Sequence, residues 1–257
     1  VTRRVLRWFA ALLLLAAVAG PASARDSLTV GVGLQALYSI AAALAEGTAI
    51  TVDPIPGVLP GMAQLPRALA RANAATIRQL AAADAIVAIS SIWPDDPLFR
   101  EARARNIWVV GIDAARSLAK EAVNVAVIAQ PVTDAPWRPA SVASGGSPYA
   151  WFGPANGIRM AEIVATDLKR LAPDAAARIE ANRAAFAAEL QAIRAEYETK
   201  LLSVSDPHLY ALTDRFVYLT NEFGIEVEGY FLEDDVRWTP DDFAGFSGFL
   251  KERGIKH

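Results

Sequence analysis

"SPYAWFGPANGIRMAEIVATDLKRLAPDAAARIEANRAAFAAEL", residues 147–190, reads as a loop running into one helix and then at once into a second, longer one. The aromatic pair Tyr149 and Trp151 stands just ahead of a Gly-Pro break. The first helix is expected from about Ala155 to Leu171. "PD" at 173 and 174 then opens a helix whose apolar residues Ile179, Phe186, Leu190, Ile193, Tyr197, Leu201 and Val204 recur at steps of three, four or seven. That spacing predicts one continuous apolar stripe. A helix of about 30 residues would run roughly 45 Å, longer than a small domain is wide, so it is expected to tie two lobes together.

Ahead of this segment, short apolar runs alternate with helical patterns. Strands are expected at Leu28 to Gly33, Ala49 to Ile55, Ala85 to Ser90 and Ile107 to Ile112. Helices are expected at Leu34 to Glu46, Ala68 to Ala83 and about Asp96 to Arg105. Such alternation predicts a parallel sheet covered by helices on both faces, with ligands collecting beyond the carboxyl ends of the strands. Residues 130–150 read as a loop, with four prolines, Gly145-Gly146 and Trp137.

Beyond the long helix the pattern restarts. Leu209 to Thr213 and Ile225 to Phe231 read as strands, and Asp214 to Phe223 as a helix. "TPDDFAGFSGFLKERG" reads as a capped helix with Thr239 at the N-cap and Pro240 in the first turn. A unit that ends on a helix lacks a neighbouring strand, so the second lobe is expected to be incomplete. The fold class is therefore α/β, two lobes of helix-flanked parallel sheet joined by one long rigid helix. The expected divisions are 25–172 for the first lobe, 173–204 for the connecting helix and 205–257 for the second lobe.

The first 24 residues, "VTRRVLRWFAALLLLAAVAGPASA", carry a basic start, an apolar run and a small-x-small end. This is the pattern of an export signal cleaved before Arg25; "TRRVL" also resembles a twin-arginine signal loosely. Its three arginines take the formal net charge from −3 to −6 on removal. The expected location is the periplasm, as a soluble monomer. No basic patch points to nucleic acid.

The chain has no cysteine and only two histidines, His208 and His257. That excludes thiolate sites and a histidine-rich zinc site within one chain. Catalytic motifs are absent: no Gly-x-Ser-x-Gly, no phosphate-binding Walker loop and no His-Glu-x-x-His. The chain is not expected to be an enzyme.

Three stretches resemble the periplasmic solute-binding proteins of zinc and manganese ABC transporters. "PYAW" at 148–151, "GPANG" at 153–157, "PD" at 173–174 and "NRAAF" at 182–186 are similar to that family's central segment. "ALTDRFVYLTNEFGIEVEG" at 211–229 is similar to its third ligand segment. "EGTAITVDPIPGVLPG" at 46–61 and "AAADAIVAIS" at 81–90 resemble its first lobe more weakly. The resemblance implies an exported component of an importer that holds a metal ion between two lobes and hands it to an inner-membrane permease.

The family's ligands do not carry over. "MAQLPRAL" after Pro60-Gly61 offers neither His nor carboxylate. The central His position holds Tyr149 and the third ligand position holds Thr213. The family's C-terminal acid would lie beyond His257. Thr is a poor ligand for zinc or manganese, and a phenol ionises near pH 10, so Tyr149 replaces an imidazole with an apolar, hydrogen-bonding surface. The cargo implied is a transition-metal ion, a metal chelate or an organic ligand. The alternative is a degenerate or accessory exported binding protein with no transported metal.

Further pocket candidates are Trp93, Trp151, Asp214 and the acidic run Glu233, Asp234 and Asp235. Each has a bland counterpart: loop packing for Trp151, a helix cap for Asp214 and for Asp95 or Asp96, and a solvated loop for Glu233 to Asp235. His208 is read as a surface residue on the side away from the cleft.

Overall fold

The computed structural model describes residues 27–118, 124–139, 142 and 145–256. The signal-like segment, its cleavage point and His257 lie outside the described residues.

The first lobe is built on strands β1 (Leu28–Val32), β2 (Ile50–Pro54), β3 (Ala85–Ala88) and β4 (Val110–Asp113). They pair in parallel in the order β2-β1-β3-β4, with Leu28 opposite Ile50 and Ala85 opposite both Val30 and Val110. Every residue of β3 is buried, as a central parallel strand covered on both faces requires. Helices α1 (Gln35–Ala45), α2 (Leu65–Ala70), α3 (Ala74–Ala82) and α4 (Leu98–Arg103) connect the strands.

Two expectations are corrected here. The helix expected over 68–83 is broken in two. The Asn73 side chain accepts from the N–H groups of Ala75 and Thr76 at 3.0 and 2.9 Å, and this N-cap outweighs the Ala-rich propensity around it. The strand expected from Ile107 begins only at Val110, because the Asn106 carboxamide turns the chain by accepting from Trp108 N–H at 3.0 Å. Asp96 is not the N-cap, which is Pro97, but its carboxylate accepts from Leu98 N–H at 3.0 Å just ahead of α4.

Helix α5 (Pro154–Leu171) buries Met160, Ala161, Val164 and Leu168 in the first-lobe core. The long helix α6 (Ala176–Leu201) has 26 residues, about 39 Å. It packs on α1 and α5. The expected stripe is buried only over its first half. Ile179 is fully buried, whereas Ile193 and Tyr197 are 40 % and 49 % exposed. The reason is length: α6 outruns the two helices that cover it.

The second lobe contains β5 (Leu209–Ala211), α7 (Val217–Glu222), β6 (Val227–Tyr230) and α8 (Pro240–Arg253). Among the described residues its sheet has two parallel strands. Their core is aromatic: Tyr210 and Phe231 are buried with Ala135 and Ile255, and Trp137, Trp238, Phe246 and Phe249 close around them. Gly245 of α8 lets the Trp137 ring lie flat on the helix; a Cβ there would sit 2.5 Å from Trp137 Cγ. Residues 133–138 therefore pack with the second lobe, although the sequence reading groups them with the first. Asp134 also edges the sheet, donating its N–H to Tyr230 O at 3.0 Å and accepting Tyr230 N–H at 2.6 Å.

Helix α7 joins the lobes. The Glu222 carboxylate accepts Ala155 N–H at the start of α5 through both oxygens, at 3.0 and 3.1 Å. Negative charge at a helix N-terminus is stabilised by the exposed peptide dipoles. Arg194 of α6 lies 3.3 Å from the same carboxylate, so three helices meet on one side chain.

Candidate ligand-binding site

Beyond the carboxyl ends of β5 and β6 lies a cavity of about 400 Å³. It is lined by Tyr149, by Leu212 to Arg215 after β5, and by Leu232 to Asp235 and Trp238 after β6. Six residues selected from the sequence thus meet at one place: Tyr149, Thr213, Asp214, Glu233, Asp234 and Asp235. Strand ends carry backbone loops with free side chains, which is where parallel sheets gather ligands.

Tyr149 arrives from the opposite wall. It precedes the single turn Ala150–Phe152 and the Gly-Pro start of α5. Its ring meets Trp151 edge-on at 5.7 Å between centroids and tilts against Phe152 at 6.5 Å. Phe152 in turn meets Phe216 at 5.0 Å. This aromatic chain positions Tyr149 over the second lobe.

Trp93 and Trp151 do not line the cavity. Both are partly buried against the first-lobe core. Among the described residues none before Tyr149 reaches the lining, and Met62–Gln64, after Pro60-Gly61, form a short surface turn instead.

Asp214 is not the cap the sequence suggested. Helix α7 begins three residues later, at Val217. Its carboxylate instead accepts from Gln130 Nε2 at 3.1 Å, which anchors the proline-rich loop to the cavity wall. Thr213 Oγ1 accepts Arg215 N–H at 3.3 Å. Arg237 reaches back to Glu233 and Asp234, 3.2 Å from each. Trp238 donates its indole N–H to Glu233 O at 3.1 Å, fixing the acidic turn. Sequence reading missed Leu212, Arg215, Leu232, Trp238 and the Arg237 clamp. The i, i+4 spacing from Glu233 to Arg237 was the available signal for the last.

The donor set is made of oxygen alone: a phenol, a threonine hydroxyl and four carboxylates. Oxygen donors suit hard cations, whereas imidazole and thiolate suit zinc and softer ions. Arg215 and Arg237 offset part of the negative charge. His208 lies at the other end of β5, away from this cavity.

The family model for ZnuA, "Zinc-uptake complex component A periplasmic", matches residues 34–257. No curated protein sequence matches the chain. Among solved structures, the nickel complex of FpvC from P. aeruginosa is 21 % identical, with a TM-score of 0.65 over 90 % of this chain and 76 % of that one. A crystal structure of ZnuA is 18 % identical, with a TM-score of 0.60 over 89 % and 80 %. A manganese-bound point mutant of a periplasmic metal-binding protein from Candidatus Liberibacter asiaticus is 15 % identical, with a TM-score of 0.63 over 90 % and 78 %. At these identities the likeness establishes the two-lobe fold. No helix among the described residues is long and apolar enough to cross a membrane. With the family model spanning both lobes and the long helix between them, the chain belongs to the ZnuA family of periplasmic metal-binding transport components, which are not enzymes.

Proposed function

We propose that this chain is the exported substrate-binding component of an ABC importer. It takes up a metal ion or a metal complex in the cavity between Tyr149 and the β5 and β6 loops and delivers it to an inner-membrane permease. One observation carries the reading. The two positions that correspond to family ligands, Tyr149 and Thr213, share a single cavity with Asp214 and the run Glu233 to Asp235.

The donor chemistry narrows the cargo. Among the described residues no histidine lines the cavity, and the chain has no cysteine; zinc sites rely largely on those ligands. A hard divalent ion such as manganese, or a metal carried in a complex, fits oxygen donors better. The tie from the Asp214 carboxylate through Gln130 and the packing of α7 on α5 favour small lobe movements over a wide hinge closure.

The test is metal content and affinity. The chain from Arg25 carrying His208→Ala, purified from a periplasm and analysed by elemental mass spectrometry, should carry about one equivalent of metal at the cavity. Tyr149→Phe and Asp235→Asn should each reduce it and should weaken both manganese and zinc at the cavity. A folded protein that holds no metal and binds neither ion in calorimetry would overturn the free-ion reading and leave a complexed cargo or an accessory role.

A further inference from the structure

The second cluster of metal-ligating side chains lies at the opposite end of the second lobe. His208 stands one residue before β5, Glu226 one residue before β6, and Glu228 within β6. Glu226 and Glu228 are two apart on an extended segment, so they project to the same side. The parallel register sets Leu209 opposite Val227, and Leu209 N–H donates to Glu226 O at 2.9 Å. That register brings the imidazole between the two carboxylates. Nδ1 of His208 is 2.8 Å from Glu228 Oε1, and Nε2 is 3.4 Å from Glu226 Oε2. One ligand atom from each of the three lies within 4.8 Å of the others.

We propose that His208, Glu226 and Glu228 form a second metal site, separate from the cavity, for one divalent first-row transition-metal ion. One nitrogen and two carboxylate oxygens are a common protein set for such ions, with the fourth position left to water. For all three to reach about 2.0–2.2 Å from one ion beside the Nδ1 that faces Glu228, the Glu226 side chain, 63 % exposed, must swing round the ring edge to join them.

The surroundings favour a cation. Asp206 sits beside the imidazole, and its carboxylate accepts His208 N–H at 3.4 Å. The hydrogen bond that the imidazole donates to Glu228 and the charges of Glu226, Glu228 and Asp206 raise the imidazole's proton affinity. The two positive charges of a divalent ion here would balance Glu226 and Glu228. A recess of about 220 Å³, walled by Leu201, Val204, Pro207, Leu209 and Ile225 with Asp206, borders the histidine. Zinc, nickel and cobalt favour imidazole, so they would enter here, while the oxygen-lined cavity takes harder ions. Binding would also bridge the starts of β5 and β6 and hold the two strands together.

The experiment uses the chain from Arg25 and two probes, Zn²⁺ and Co²⁺. The imidazole resonances of His208 are followed by NMR during titration at pH 7.5, and affinities are measured by calorimetry. Zn²⁺ should shift the His208 signals and bind with 1:1 stoichiometry at this site. His208→Ala should abolish that event. Glu226→Gln keeps the 2.8 Å pairing of His208 with Glu228 and so preserves the local fold; it should weaken zinc about tenfold or more. Asp235→Asn, which alters only the cavity, should leave the His208 response unchanged. Two results would overturn the site: His208 signals unmoved by millimolar Zn²⁺, or equal zinc stoichiometry and affinity in wild type and His208→Ala. Either would mean the cluster is an ion pair that binds only a proton.

Discussion

Arg138 grips Asp242 with two hydrogen bonds of 2.6 Å each, from Nε to Oδ1 and from a terminal nitrogen to Oδ2, across 104 positions of sequence. Asp242 is nearly inaccessible, and its Oδ2 also accepts the N–H and the hydroxyl of Thr239 in the capping box that opens α8. One carboxylate thus fixes the loop bearing Trp137 and starts the helix packed against it. Replacing Arg138 by Met should loosen α8 and the aromatic core together, seen as faster amide exchange across 240–253. A surface pair such as Lys200–Glu196, both well exposed, should be dispensable. Equal exchange in both variants would show that the clamp is ornamental.

The same carboxylate sets an acid limit. Arg138, and then Thr239, hold it well below the usual carboxylate range despite its burial. A depressed folded pKa contributes stability that is complete above the unfolded value of 3.8 and is lost as pH falls below it. Thermal melts between pH 5 and pH 2 should show the drop, and Asp242→Asn, already less stable, should show a shallower one.

Tyr218 should carry much of the contact between lobes. Its buried hydroxyl donates to Ser147 O at 2.8 Å and accepts Ile128 N–H at 3.2 Å. Tyr218→Phe leaves both backbone groups without that partner, and such losses cost about 1–3 kcal/mol. Urea unfolding should report it. A change below about 0.5 kcal/mol would mean that water replaces the hydroxyl.

The long helix offers an internal comparison. Ile179→Ala empties a fully buried site and should cost about 2–5 kcal/mol. Ile193→Ala, at a residue 40 % exposed, should cost well under half of that. Equal losses would mean that another element covers the second half of α6 in solution.

In the cavity, Arg237 competes with any cation for Glu233 and Asp234. Arg237→Ala should tighten manganese binding by about fivefold, the equivalent of about 1 kcal/mol for one exposed ion pair. Asp235 makes no ion pair among the described residues, so Asp235→Asn should weaken binding instead. Calorimetry on both variants would separate the two effects. Weaker binding in Arg237→Ala would show that the guanidinium shapes the acidic turn and does not oppose the ion.

Local structure was legible in residue order. Apolar runs alternating with helical patterns specified the parallel strands of the first lobe, with β4 starting later than its run, "PD" and a helical period specified the long helix, and Thr239 and Pro240 specified how α8 starts. Composition also set the chemistry at hand: no thiol, two histidines, and acids after β6. Periodicity reports which faces avoid water but not what covers them. Long-range packing settled that the stripe of α6 is covered to its midpoint, that Trp137 belongs to the aromatic core of the second lobe, and that Asp214 holds Gln130 and caps no helix. It also brought Tyr149 to the acidic turn after β6 and put His208 between Glu226 and Glu228. These meetings depend on strand register and helix docking, which arise between segments distant in sequence and leave no trace in local spacing.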